Sequence, residues 1–295
     1  LPFFGEFQVY SITYDQPGFI GSKKNIYTLM QHGVLLGLQK KEMHFDAGIN
    51  VGFEWMQTRI NAGTQDCINQ LSKAINFEPG FTDKTIPFFQ IEPNIFIDYL
   101  DHKLNPTHGY YTLLSLKGMF PIDYIQPEAY FIKLLGEQAF FVPLGASVGA
   151  IRLRFGHIFH RIFSTIMPSE RFYLGGSHSL RGYETDLTPP LGLFCDSDGN
   201  KNRVPQGGRS MINVNTELRF PVLKDLGGVI FHDMGMLSGD CFADFKPGNI
   251  LSTSGFGVRF YTPVGPLRFD IGFKWCKDCP LDRSYAWILT FGQAF

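Results

Sequence analysis

The chain offers few groups of residues that could carry out catalysis or bind a metal, and the most suggestive is a serine between glycines. Residues 175–179 read G-G-S-H-S, close to the G-x-S-x-G turn that exposes the nucleophile of α/β-hydrolases. Serine stands where that turn requires its last glycine, so we assign no catalytic residue and expect a protein that is not an enzyme. His157 and His160 lie three residues apart, but no third metal ligand is close to them in the sequence.

A second group imitates a calcium-binding loop. Asp196, Asp198 and Asn200 have the spacing with which such a loop begins. Lys201 and Gly207 occupy the positions at which it needs glycine and glutamate. We therefore expect a solvated loop here, and neither a metal site nor a cofactor in the chain.

Composition excludes several classes of protein. The 295 residues carry a net charge of −1, from 26 Lys and Arg against 27 Asp and Glu, whereas a nucleic-acid-binding protein would show a basic excess. Apolar residues make up 44% of the chain, too many for a disordered protein. No run of about 18 apolar residues predicts a transmembrane helix. Because no signal peptide follows Leu1, we expect that one was removed or that the chain begins inside a larger protein.

Large apolar residues alternate with small or charged ones along many segments. In 267–275 the odd-numbered positions are apolar, and the even-numbered ones are Arg268, Asp270, Gly272 and Lys274. Such segments are about ten residues long, against roughly 5–6 residues for strands of soluble proteins, and membrane-spanning strands need about 9–11. The same alternation recurs in 45–56, 212–220 and 287–295.

This alternation predicts twelve antiparallel strands. They lie at 5–14, 26–40, 43–59, 86–100, 109–120, 127–138, 144–157, 210–221, 228–237, 254–263, 266–275 and 286–295. Short connections alternate with long ones, as in transmembrane barrels, whose long loops are external. The longest connection is 158–209. We predict an all-β, antiparallel transmembrane β-barrel, with a soluble β-sandwich as the alternative.

Two segments depart from the pattern. The strand at 144–157 loses its apolar parity near Arg152, which predicts a bulge there. Residues 66–77 carry a weak helical pattern.

The longest loop and the segments around it contain ordered motifs. The loop includes GGSHSLRGYE, in which Leu180, Arg181, Gly182 and Tyr183 form an L-R-G-Y tetrapeptide. DYLDHKLNPTHGYY precedes it, and NTELRFPV, FHDMG and GFGVRFYTPVGPLRFDIGF follow. Together these motifs resemble the outer-membrane barrel-assembly superfamily, which includes BamA, TamA and the plastid and mitochondrial import barrels.

The resemblance implies a barrel of sixteen strands that follows soluble POTRA domains. Only seven strands are predicted before 158–209, where the family has eleven, and no POTRA domain is visible. We therefore interpret 1–295 as one outer-membrane barrel domain, the C-terminal part of a sixteen-stranded barrel with a long lumenal loop. A naturally reduced barrel is the alternative.

The resemblance also implies contacts between the loop and the barrel wall. Arg181 would enter the lumen and meet Glu217 and Asp233, because a guanidinium forms bidentate hydrogen bonds with carboxylates. Glu217 points inward by parity, whereas Asp233 shares its parity with the apolar Phe231. Gly235, in the same D-x-G motif, is assigned to this contact as well.

The last predicted strand, 286–295, is the gate that the resemblance implies. Trp287, Phe291 and Phe295 lie on its outward face by parity, and Gly292 weakens its interior. In the family this strand closes on the first strand of the barrel and opens toward lipid.

The function implied is that of an outer-membrane insertase or translocase. Substrate β-barrels or autotransporters would pair with an exposed strand edge and leave through a lateral gate. The expected partners are nascent outer-membrane proteins, the lipid bilayer and accessory lipoproteins bound through POTRA domains, and nucleic acid is not one. The alternatives are a two-partner secretion pore and a surface-antigen barrel. The expected location is the Gram-negative outer membrane, with organelle outer membranes as the alternative.

The cysteines provide a test of this topology. All five, Cys67, Cys195, Cys241, Cys276 and Cys279, fall in predicted external loops. A membrane-impermeant thiol reagent should therefore label the reduced protein from outside intact cells, except at Cys195 if its loop lies in the lumen. Labelling of Cys276 only after permeabilisation would contradict the predicted orientation.

Overall fold

The computed structural model describes residues 3–19, 22–60, 65–122, 129–195, 201–239, 245–263, 265–275 and 284–295. In these ranges the chain forms fourteen strands and one α-helix, α1 (Gln65–Ala74). The strands are β1 (Phe3–Phe19), β2 (Ser22–Lys41), β3 (Phe45–Ile60), β4 (Thr85–Asp98), β5 (Gly109–Pro121), β6 (Phe131–Leu144), β7 (Ser147–Phe159), β8 (Leu191–Cys195), β9 (Lys201–Pro205), β10 (Ser210–Leu223), β11 (Leu226–Ser238), β12 (Leu251–Thr262), β13 (Gly265–Lys274) and β14 (Tyr285–Phe291). Among the described residues, no helix has the length and the apolar composition needed to cross a bilayer.

Twelve of the strands form one antiparallel sheet. Its order runs from β1 through β7 and then from β10 through β14, so the all-β class and the twelve predicted strands are confirmed. The described residues contain no pairing between β1 and β14, which end this order. The 160–209 loop joins β7 to β10 and contains the β8–β9 hairpin, which the alternation does not predict.

The two faces of the sheet differ as the alternation predicts. On β13, Leu267 and Phe273 are exposed on the outer face, whereas Arg268 and Asp270 are buried on the inner face. The inner face thus carries the charged residues of the strands.

The predicted bulge near Arg152 is wrong. The register of β7 is continuous against both β6 and β10. The apolar residues that break the parity next to Arg152 are Val148 and Ala150, which pack on the inner face in a small core with Ala139. Ile158, just beyond the predicted strand, also faces inward, because a larger apolar core covers the end of the inner face that carries the long loops.

This core joins the 160–209 loop to the segment between β3 and β4. Among its buried members are Leu71, Ile75, Phe163, Ile166 and Phe172. The weak helical pattern at 66–77 corresponds to α1, whose apolar residues enter the core. The long-loop end of the sheet is therefore covered by a packed cap.

Arg171 holds the two parts of the cap together. Its guanidinium donates to the carbonyl oxygens of Ile75 at 2.6 Å and Asn76 at 2.8 Å, just after α1. It also donates to Gln206 at 2.9 Å and to Ile166 at 3.0 Å, and it stacks on the ring of Phe163. Burial lowers the pKa of Arg171, but two of its hydrogen bonds go to carbonyl groups at the C-terminal end of α1, where a cation is favourable.

We expect Arg171→Met to loosen the cap without preventing formation of the sheet. The change leaves several buried carbonyl groups without a donor, at a cost of about 1–3 kcal/mol for each group that water cannot reach. Limited proteolysis from the outside should therefore cut the 160–209 loop faster. Arg161→Met, at an exposed position of the same loop, is the control, and equal cleavage of the two variants would contradict the role of Arg171.

Candidate functional site

The L-R-G-Y tetrapeptide is presented by a compact turn of the 160–209 loop. Gly175 and Gly176 have φ of 111° and 85°, which glycine adopts without strain. The Gly176 N–H donates to the carbonyl of Tyr183 at 3.0 Å, and the Ser179 hydroxyl bonds both the N–H and the carbonyl of Gly175. A Cβ at Gly175 would lie 2.2 Å from the Glu184 carbonyl oxygen. The G-G-S-H-S sequence therefore closes a turn.

Arg181 leaves this turn toward the inner face of the sheet. Its Nε and Nη2 donate to the two carboxylate oxygens of Asp233, on β11, at 2.8 and 2.7 Å. Its backbone N–H also donates to Asp233, at 3.1 Å, and its Nη1 donates to Glu217 on β10. The structure thus brings together the three residues that the resemblance grouped.

Phe231 explains the ambiguous parity of β11. Its side chain shares the inner face with Asp233, and the guanidinium of Arg181 lies 3.6 Å from its ring centroid. An aromatic face attracts a desolvated cation. Burial alone would lower the pKa of Arg181, but Asp233, Glu217 and Asp270 together raise it. Arg181 is therefore a fixed positive charge.

Further charged residues surround this contact, and we name the whole set the inner charge network. Asp270, on β13, lies 3.7 Å from Arg181 and accepts a hydrogen bond from Arg259 at 2.5 Å. Glu217 also accepts from Arg219, at 2.7 Å. The network comprises Arg181, Arg219, Arg259, Arg268, Glu217, Asp233 and Asp270. Four of these residues are not predicted from the sequence: Asp270, Arg259, Arg268 and Arg219. The inward parity of 267–275 is a signal that could have indicated Asp270 and Arg268.

Small residues on the sheet let the loop backbone approach closely. A Cβ at Gly272 would lie 2.7 Å from the carbonyl carbon and oxygen of Arg181. A Cβ at Gly235 would lie 2.9 Å from the side chain of Leu174 and 3.4 Å from that of Leu180. A Cβ at Gly182 itself would lie 2.7 Å from the Thr253 side chain. The loop is thus seated directly against β11, β12 and β13.

The other two residues of the tetrapeptide are buried. Leu180 is fully enclosed in the apolar core. The ring of Tyr183 lies under the ammonium group of Lys274, at 4.7 Å. They anchor the turn by packing, while Arg181 anchors it by charge.

The last strand differs from its prediction at its end. Trp287 and Phe291 lie on the outer face and are 62% and 52% exposed, but β14 ends at Phe291. Gly292, with φ of 92°, turns the chain inward. The outward placement of Phe295 is therefore wrong: its ring packs against Phe141 on the inner face, with centroids 6.0 Å apart.

Residues 292–295, which we call the tail, connect the last strand to the loop. His178 and Arg152 both donate to the carbonyl oxygen of Ala294, at 3.1 and 3.5 Å. Gln293 donates to Asn105, in the turn between β4 and β5, at 2.8 Å. β14 is thus held at its end by the loop and by the opposite wall.

The remaining candidates have no role in this site. His157 bonds Ser210 and His160 bonds Thr165, and the described residues contain no cluster of three or more metal-ligating side chains. Asp196, Asp198 and Asn200 lie outside the described residues, as do Cys241, Cys276, Cys279 and the side chains of Cys67 and Cys195.

Comparison with known proteins places this site in a family. The sequence model of the Omp85 superfamily domain matches residues 10–295. The chain is 33% identical, over 44% of its length and 16% of the relative's, to outer envelope protein 80, chloroplastic, of Arabidopsis thaliana. It is similar to outer membrane protein assembly factor BamA of Nitratidesulfovibrio vulgaris, with 33% identity over 63% of the chain and 22% of the relative. The same factor of Neisseria meningitidis is 27% identical over 66% of the chain and 27% of the relative.

One solved structure shows the same fold. BamA of Haemophilus ducreyi lacking POTRA domains 1–3 superposes with a TM-score of 0.72 and 16% identity, covering 96% of this chain and 57% of that one. The chain therefore spans less than a third of the curated relatives that it matches and little more than half of this structure.

We expect Arg181→Ala to release the loop from the sheet while the sheet itself still forms. Breaking a fully buried ion pair costs up to about 3–5 kcal/mol, and water within the barrel would reduce this. Arg181→Lys should rescue poorly, because an ammonium group cannot form the bidentate contact with Asp233. Protease sensitivity of the loop, with thermal unfolding of the barrel as a control, measures the effect. If the loop of the alanine variant resists protease as well as that of wild type, Arg181 does not anchor the loop.

Proposed function

The chain belongs to the Omp85 superfamily, and from this membership we propose that it is the barrel of an insertase that assembles other β-barrel proteins in the outer membrane. The chain lies in an outer membrane, and its family acts in the insertion or secretion of outer-membrane proteins. Of these two activities we propose insertion, through a lateral gate beside β14 and with nascent outer-membrane proteins as substrates. In this proposal the protein acts by pairing strands and uses no catalytic residue.

The observation that carries the proposal is the short pairing of β14. This strand pairs with β13 over seven residue pairs, Leu267–Phe273 with Phe291–Tyr285. By contrast, β12 and β13 pair over ten. A strand that is paired over fewer residues separates from its neighbours more easily, and an edge exposed in this way can capture another strand, so β14 suits a gate.

The outer face of β14 supports the same proposal. Trp287, Leu289 and Phe291 form an exposed apolar row, whereas Ala286, Ile288 and Thr290 face inward and border a cavity of about 420 Å³ beside residues 176–185 of the loop. A substrate strand added to this edge would extend both rows, with apolar side chains toward lipid.

The inner face favours insertion over export through the lumen. The 160–209 loop, the inner charge network and the tail all lie against the inner face and are extensively bonded to it. A protein exported through the lumen would have to displace buried ion pairs, whereas a strand captured at the edge would not. Accessory lipoproteins and POTRA domains belong to the proposal only through the family.

We expect a disulfide between β14 and the first strand of the intact barrel to abolish substrate insertion, and reductant to restore it. The experiment uses the intact protein with its native cysteines replaced by serine, a cysteine at Leu289 and a scan of partners along the first strand. The matched control is a disulfide between cysteines at Val258 and Phe269, which face each other on β12 and β13. This disulfide should leave substrate insertion unchanged. Normal insertion by the gate-locked protein would contradict the lateral gate and favour export through the lumen.

A further inference from the structure

A second group of buried charges links the loop to strands that the inner charge network does not reach. Glu170, in the short turn Pro168–Glu170, accepts hydrogen bonds from Lys117 on β5 at 2.6 Å and from Lys133 on β6 at 3.1 Å. Lys117 also donates to Glu54 on β3, at 3.2 Å. We call these four residues the Glu170 cluster. It is balanced, with two carboxylates and two ammonium groups.

The cluster reaches most of the N-terminal strands. The Tyr10 hydroxyl, on β1, donates to Glu54, and Gln31, on β2, lies 3.5 Å from a carboxylate oxygen of Glu170. Lys133 also stands over the ring of Phe172, in the loop, at 5.0 Å. One loop carboxylate is thus linked directly to β2, β5 and β6, through Lys117 to β3, and through Lys117 and Glu54 to β1.

The cluster is enclosed. The side chains of Glu170 and Glu54 are 5% and 1% exposed. Burial alone would raise the pKa of Glu170, but the two ammonium groups lower it to about 2. Glu170 is therefore ionised, and each of its contacts is a charge-assisted hydrogen bond.

We propose that Glu170 is a positioning residue that holds the 160–209 loop against the N-terminal half of the sheet, opposite the anchor formed by Arg181. Arg181 bonds to β10 and β11 and lies near β13, whereas Glu170 bonds to β5 and β6. The loop is then a brace across the inside of the barrel, fixed at both sides. In the proposed insertase, the brace sets the position of the N-terminal wall relative to β14.

Glu170 could only balance the charge of the cluster, or it could also position the loop, and these two roles predict different results. Glu170→Gln leaves Lys133 without a carboxylate and unbalances the cluster. The double variant Glu170→Gln/Lys133→Gln removes one charge of each sign and keeps the pair between Lys117 and Glu54. If Glu170 only balances charge, the double variant should behave like wild type in every measurement. If it positions the loop, barrel stability should recover while the loop stays released.

The experiment compares both variants in the intact protein, reconstituted in liposomes. Thermal unfolding reports the stability of the barrel, and external proteolysis reports release of the loop. A third measurement is the rate of insertion of a urea-denatured outer-membrane β-barrel protein. Glu92→Gln is the matched control, because Glu92 is an inner-face carboxylate that bonds Ser115 on β5 and Gln90 on its own strand, β4.

We expect the single and the double variant to be cleaved about tenfold faster than wild type in the loop, which corresponds to a coupling of about 1.4 kcal/mol. The double variant should regain the unfolding temperature of wild type, and Glu92→Gln should leave cleavage unchanged. Wild-type cleavage in the double variant would overturn the inference. Because cleavage is independent of substrate, failure of wild type to insert any substrate would count against the proposed function alone.

Discussion

A charged side chain on the inner face of a membrane-embedded sheet must find its counter-charge within the protein or in enclosed water. This constraint governs the placement of the 160–209 loop. Arg181 finds its counter-charges in Asp233 and Glu217, and among the described residues Arg181 is the one ion-pair partner of Asp233. Burying an ion pair contributes little net stability, whereas separating its partners is costly. The pairs therefore specify where the loop lies more than they stabilise the fold.

The packing around the loop follows from that placement. Glycines at Gly235 and Gly272 let the loop backbone reach the wall closely enough for Arg181 to bond there. Arg171 bonds the loop to the end of α1, and His178 bonds it to the tail. Residues 170–181 therefore contact the end of α1, both halves of the sheet and the tail through direct bonds.

Much of the fold follows from the sequence, because strand parity is a local property. All twelve strands of the sheet are predicted by alternation, and Arg181, Glu217 and Asp233 by ordered motifs. Phe295 is misplaced because the positive φ of Gly292 ends the parity on which its outward assignment rests. The Glu170 cluster is missed for another reason: its contacts join residues 37 and 53 positions apart, on strands that carry no motif. Val148 and Ala150 break the parity of their strand because a small apolar core occupies the inner face there.

The two anchors of the loop also differ in their direction along the chain. The partners of Glu170 are made before it, 53 and 37 residues upstream, whereas those of Arg181 are made after it, 36 and 52 residues downstream. Glu170 and Arg181 are only eleven positions apart, so a short stretch of chain joins strands that precede it to strands that follow it, over similar sequence separations in both directions. The loop thus ties the two halves of the sheet together at the point in the chain where one half ends and the other begins.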